Sequence, residues 1–311
     1  MTAAALHAPA ARRAPDPVRS GLAWGGAAVA IWGVYLAVAR AGVAHGAAPS
    51  DLAFLRYAVA GVATLPWFAR FAPAQIRRLG WARIATLAVL AGPPFVLASA
   101  GGFRLAPLSH GAVVQPGAIT VAGLALGALL LGDRVTRGRL AGAGVILAGL
   151  AVVAGPGALA GGAASLGGDA LFALAGAMWA AFAILSRRWA VPPLAGVAII
   201  SVLSAAVYAP LHLATAGVGG LLAQSPATLL QQAVVQGLLS GVLAVFAFGR
   251  AVELLGAARA AALPALVPVV ATLAGIPIAG ELPTLFQIAG LAVVTAGLLV
   301  TQTRPDPRQG D

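Results

Sequence analysis

The chain is 311 residues long, 60% hydrophobic and only 9% charged, with a mean hydropathy of +0.96. A soluble domain carries about a quarter charged residues, so this chain lacks the charge to face water on all sides, and an apolar solvent must surround it. Its net charge of +11 is carried by Arg in short clusters between apolar runs, which form no patch for nucleic acid; the lack of Cys excludes disulfides, thiolate metal sites and Cys nucleophiles.

Residues 1–20 contain Pro9, Pro15, Pro17, Arg12, Arg13 and Arg19 and read as a cytosolic N-terminal tail. A cleaved signal is disfavoured because the apolar run Gly21–Ala39 exceeds the roughly 7–15 residues of a signal core. A spanning helix needs about 20 apolar residues, and ten such runs follow. Spans at 21–39, 51–69, 84–103, 109–131 and 138–155 make a first half, 21–155. The uncharged stretch 156–168 reads as an external linker. Spans at 169–186, 194–214, 230–249, 260–280 and 285–302 make a second half, 169–303, and 304–311 is a cytosolic tail. With the N-terminus inside, sixteen Arg fall on the cytosolic side and only Arg40 and Arg104 outside, Arg56 lying within a span. The positive-inside rule favours that orientation in a bacterial inner membrane, with both termini cytosolic.

The halves repeat. Pro116 is matched by Pro264, Asp133 by Glu281, Gly142 by Gly290 and Gly149 by Gly297, all at an offset of 148; Trp32 and Arg40 are matched by Trp179 and Arg187 at 147. Five spans is an odd number, so the second copy enters the membrane in the opposite sense. The predicted fold is an all-α integral membrane protein of ten transmembrane helices, arranged as two inverted five-helix repeats.

Several residues stand out against the apolar spans. Trp32, with Tyr35 about one turn on, and Trp179 either line a cavity or pack against neighbours and lipid. Gln115 and Gln236 either bind a solute or pair helix to helix, because an unpaired amide in hydrocarbon is costly. Arg56 either snorkels to the outer interface, pairing with Asp51, or serves in gating or in binding a substrate carboxylate. His110 is a candidate proton carrier or an ordinary interfacial His. Pro116 and Pro264 are expected to kink their helices and shape a cavity between the halves. The GxxxG-spaced pairs Gly21/Gly25, Gly123/Gly127, Gly138/Gly142 and Gly237/Gly241 suit close helix packing. No acid falls near the bilayer midplane, so facilitation or exchange is expected rather than proton coupling.

The order of these motifs resembles the ten-span EamA-like permeases of the drug/metabolite transporter superfamily. The resemblance runs through Gly25 and Trp32-Gly33, then the Arg-bearing second-span start Leu52 to Tyr57, then Leu131-Gly132-Asp133-Arg134, and finally Gly168-Asp169 and Gly280-Glu281. Asp133 stands where Glu is commoner, and Leu282 replaces the basic residue that follows the second acid. The resemblance implies export or exchange of an amino acid, another small metabolite or a drug-like solute. The expected partners are that solute and the bilayer, in a monomer or homodimer. No cofactor, metal or catalytic residue is expected: HExxH, CxxC and paired-acid motifs are absent, which disfavours a membrane-embedded enzyme, and no soluble domain supports a scaffold.

Overall fold

The computed structural model describes residues 16–154, 163–260 and 262–301, which contain helices and turns and no strand. Helix α1 (Pro17–Ala44) opens with Pro17 in its first turn and with the Asp16 carboxylate accepting from Val18 N at 3.0 Å, two complementary ways of treating unsatisfied first-turn donors. The predicted tail therefore gives way to helix at residue 17. Helix α2 (Pro49–Leu79) runs 31 residues, past the predicted end at 69, and is terminated at Gly80.

The predicted span 84–103 is two helices, α3 (Trp81–Ala91) and α4 (Pro93–Gly102). Pro93 and Pro94 lack N–H groups, so the Val89 and Leu90 carbonyls lose their helical donors and the rod breaks at Gly92. The Tyr57 hydroxyl donates to the neighbouring Ala91 carbonyl at 2.7 Å. Helices α5 (Leu108–Leu131) and α6 (Arg137–Ala154) complete the first half.

Helix α7 (Ala163–Arg188) begins inside the stretch expected to be a linker; residues 156–162 of that stretch lie outside the described residues, as do residues 1–15 of the predicted N-terminal tail and all of the predicted C-terminal tail. Next come α8 (Pro193–Thr215), a short α9 (Gly219–Leu222) in the expected loop, and α10 (Pro226–Gln232). The last of these continues through a π-helical stretch, Ala233–Leu243, into α11 (Ala244–Leu255). After α12 (Ala257–Ala260), a 3₁₀ turn at Leu263–Leu266 leads into α13 (Val267–Ala279), and α14 (Leu285–Thr301) ends the described chain.

The matched prolines therefore differ locally. Pro116 sits inside α5, whereas Pro264 lies in the first turn of the 3₁₀ segment, so the two prolines do not interrupt matching helices. The matched chain reversals do agree. Gly132 (φ +70°) and Gly280 (φ +67°) both end a helix in the left-handed region, each followed by its acid.

By length and composition, seven helices among the described residues qualify to cross a membrane. The other three predicted spans correspond to the shorter Arg137–Ala154, Leu263–Ala279 and Leu285–Thr301.

Packing follows the repeat. Helix α5 packs on α7 as α13 packs on α1, and α4 packs on α7 as α11 packs on α1, while α2 meets α8 and α6 meets α14. The α6–α14 seam brings backbone against backbone: a Cβ at Gly142 would lie 2.9 Å from the Gly297 carbonyl oxygen, and one at Gly149 3.1 Å from that of Gly290. That register makes the two helices antiparallel, and only Gly permits the approach. Of the GxxxG pairs, Gly237 abuts Val59 and Gly25 abuts Leu263, whereas Gly123 faces open space.

Candidate functional site

A cavity of about 260 Å³ lies where the halves meet. Helix α1 supplies Trp32, Tyr35 and Leu36; α2 supplies Arg56; α4, Phe95; α5, Gln115, Pro116 and Ile119. The second half supplies Trp179, Ser240, Phe248, Pro264 and Val267. The structure thus brings Trp32, Tyr35, Arg56, Gln115, Pro116, Trp179 and Pro264 together, and adds Phe95, Ser240 and Phe248, which no sequence pattern singled out.

Gln236 is not in this wall. It is buried one turn before Ser240, and its amide donates to Gln232 Oε1 at 3.0 Å, while Gln232 donates to the Val38 carbonyl at 2.8 Å. The Gln236 bond thus runs along its own helical stretch, and Gln232 makes the bond across to α1. His110 is also outside the cavity. Its Nδ1 lies 2.9 Å from Asp169 Oδ1, tying the start of α5 to the start of α7. Arg56 does not pair with Asp51, which instead lies 3.3 Å from Nε2 of the buried His212, a ring stacked on Phe54.

Two ion pairs link the ends of the bundle. Arg40, near the end of α1, donates from Nε to Glu281 at 2.5 Å and from Nη1 to the Phe103 carbonyl. Glu281 also accepts from Leu108 N at 2.8 Å, so one carboxylate joins the ends of α1 and α13 to the start of α5. At the opposite end Arg187 reaches Asp133 through two bonds, at 2.8 and 3.0 Å. The offsets that relate the halves convert one pair into the other, a correspondence already present in the matched Arg and acidic positions. A second cavity of about 300 Å³ lies between the start of α5, at Pro107–Ser109, and Thr272, Glu281 and Thr284 of the second half.

The two ends are not equally packed. Residues 108–115 of α5 are buried on every side, and so are 36–39 of α1. Their counterparts by the repeat are residues 256–263 and residues 183–186 of α7; among the described ones Ala260 is buried and the rest are part-exposed or exposed. The chain is therefore more deeply buried near the Arg40–Glu281 end than near the Arg187–Asp133 end, where the Arg187 side chain is 63% exposed. Among the described residues no group of three or more His, Asp or Glu is placed to hold a metal ion.

The model of one family, described as the EamA-like transporter family, matches twice, at residues 19–155 and 166–303. No curated protein matches. A protein of known crystal structure is 21% identical, with the alignment covering 91% of this chain and 96% of that one at a TM-score of 0.53, a likeness of fold.

Proposed function

The chain belongs to the EamA-like transporter family, and on that basis we propose that it moves a small solute across a bacterial inner membrane by alternating access about the 260 Å³ cavity. The solute is a small metabolite such as an amino acid, or a drug-like molecule, and the direction is export or exchange. In this reading the chain crosses ten times with its Arg-rich loops and both termini in the cytosol, so the more deeply buried Arg40–Glu281 end faces outward and the described conformation is the inward-facing one.

The observation that carries this reading is the unequal packing of two ends that the repeat makes equivalent in sequence. Exchanging the conformations of the halves would bury the Arg187–Asp133 end more deeply and loosen the other. The cavity wall contains no Asp, Glu or His, which supports facilitation or exchange over proton coupling. His110, the sequence candidate for a proton carrier, is held by Asp169 at the more deeply buried end.

Counterflow of labelled amino acids and small organic acids into liposomes holding the purified protein tests the proposal. Trp32→Ala and Gln115→Ala should each reduce flux of any transported solute at least ten-fold while the protein still inserts. Normal flux in both variants would place the site elsewhere.

A further inference from the structure

The polar groups of the cavity include a cation and no anion. Arg56 is 7% exposed; its Nη1 donates to Ser240 Oγ at 3.1 Å, and the guanidinium carbon lies 5.1 Å from the centre of the Tyr35 ring and 5.9 Å from that of Tyr57. None of the ion pairs among the described residues includes it. A guanidinium carries five N–H donors, and this one meets two neutral hydroxyls, those of Ser240 and Tyr57. Gln115 accepts from Ser99 with its carbonyl oxygen at 2.9 Å, which leaves its NH₂ group for another partner. The indoles of Trp32 and Trp179 can only donate. The wall thus holds a buried cation with neutral neighbours and no counter-charge, and such a cation is costly unless something pairs with it.

The repeat shows that the helix contact itself does not need this charge. At the offset of 148, Arg56 corresponds to Ser204 and Ser240 to Gly92. Gly92 and Ser204 do meet, because a Cβ on Gly92 would lie 2.9 Å from Ser204 Oγ. The same contact is therefore made twice, once with a hydroxyl and once with a guanidinium, and only the guanidinium faces the cavity.

We propose that Arg56 is the anchor for a carboxylate on the transported solute, the rest of which is a small apolar or aromatic group held against Trp32, Trp179 and Phe95. An amine is not required, and organic cations are excluded. This proposal rests on the transport reading and names its substrate class.

The test uses the full chain in detergent, titrated by tryptophan fluorescence with phenylacetate, isovalerate and lactate, and with the amide and amine analogues of each. At least one carboxylate should bind saturably, with its amide and amine at least ten-fold weaker. Arg56→Lys should keep binding within about ten-fold, and Arg56→Gln should lose about ten- to a hundred-fold, the worth of a hydrogen bond to a charged group. Should Arg56→Gln fail to purify as a monodisperse protein, the wild-type ratio of carboxylate to amine and the Arg56→Lys result decide. Equal binding of the amine, full binding by Arg56→Gln, or no binding of any of the three carboxylates overturns the anchor. Counterflow separates the two readings. Flux of neutral or cationic solutes that Trp32→Ala abolishes would refute the anchor alone, and Arg56-dependent carboxylate binding without flux of any solute would refute transport alone.

Discussion

Replacing Glu281 by Gln should shift the bundle toward the state open at the Arg40 end. Glu281 accepts from Arg40 Nε and from Leu108 N, and the side chains of the ion pair are only 22% and 26% exposed. The amide keeps the shape but removes the charge from both bonds. With charge-assisted bonds worth about 1.5–3 kcal/mol each and one acceptor retained, about 2 kcal/mol of closure is lost. That is a shift of roughly thirty-fold in the population open at that end. Asp133→Asn at the opposite end breaks a pair whose Arg187 side chain is 63% exposed; an exposed pair contributes only about 0–1 kcal/mol, so its effect should stay below about five-fold. The chain has no Cys, so a single Leu36→Cys in the cavity wall reports access cleanly. A membrane-impermeant thiol reagent applied only from the Arg40 side should label it about thirty times faster in Glu281→Gln. An unchanged rate, or an equal rise in Asp133→Asn, would refute the reasoning.

Other outcomes follow from the same geometry. In Gly290→Ala the new methyl meets Val153 N at 2.8 Å and the Gly149 carbonyl oxygen at 2.9 Å, backbone atoms that cannot rotate away. The α6–α14 seam should lose about 1–3 kcal/mol, read as a lowered thermal midpoint in detergent, whereas Gly144→Ala, with nothing within 4 Å, should leave the midpoint unchanged or raised. Reporter fusions after Leu222 should read external and those after Arg188 cytosolic; the reverse at both sites would sink the proposed orientation. An imposed pH gradient should not drive uphill solute accumulation in liposomes, and gradient-driven accumulation that persists in His110→Ala would contradict both facilitation and the role of His110.

Hydropathy located the helices well because a membrane span is decided locally, by whether each stretch of about 20 residues tolerates hydrocarbon. Trp32, Arg56, Gln115 and Trp179 were conspicuous for the same reason, as bulky, polar or charged groups among Ala, Leu and Gly. What stayed hidden depends on helical phase and on distant partners. The π-helical stretch 233–243 takes more residues per turn than an α-helix, and in it Ser240 meets Arg56 while Gln236 turns back to Gln232. Arg40 and Glu281 are 241 positions apart and each read as a separate interfacial charge. The repeat contained the clue to their pairing, because both acids and both Arg residues occupy matching positions. The break at Gly92 was written in Pro93-Pro94, but a hydropathy window averages across it.

The repeat also separates the contacts that must change from those that need not. Exchanging the halves maps the α6–α14 seam onto itself and the α2–α8 contact onto itself. The α5–α7 contact instead becomes α13–α1, and α4–α7 becomes α11–α1. Switching between mirror states therefore requires no new partner at the α6–α14 seam, whose matched glycines bring backbone against backbone. The change falls on α1 and α7 against their neighbours. These are the helices that carry Arg40 and Arg187 at their ends and Trp32 and Trp179 in the cavity wall. In each, the end charge and the wall aromatic sit about two turns apart on one rigid helix, so a shift that breaks the ion pair also moves the ring. A gate and a binding wall on the same element are coupled without any intermediary, which is how filling a cavity at the centre would bias which end is sealed.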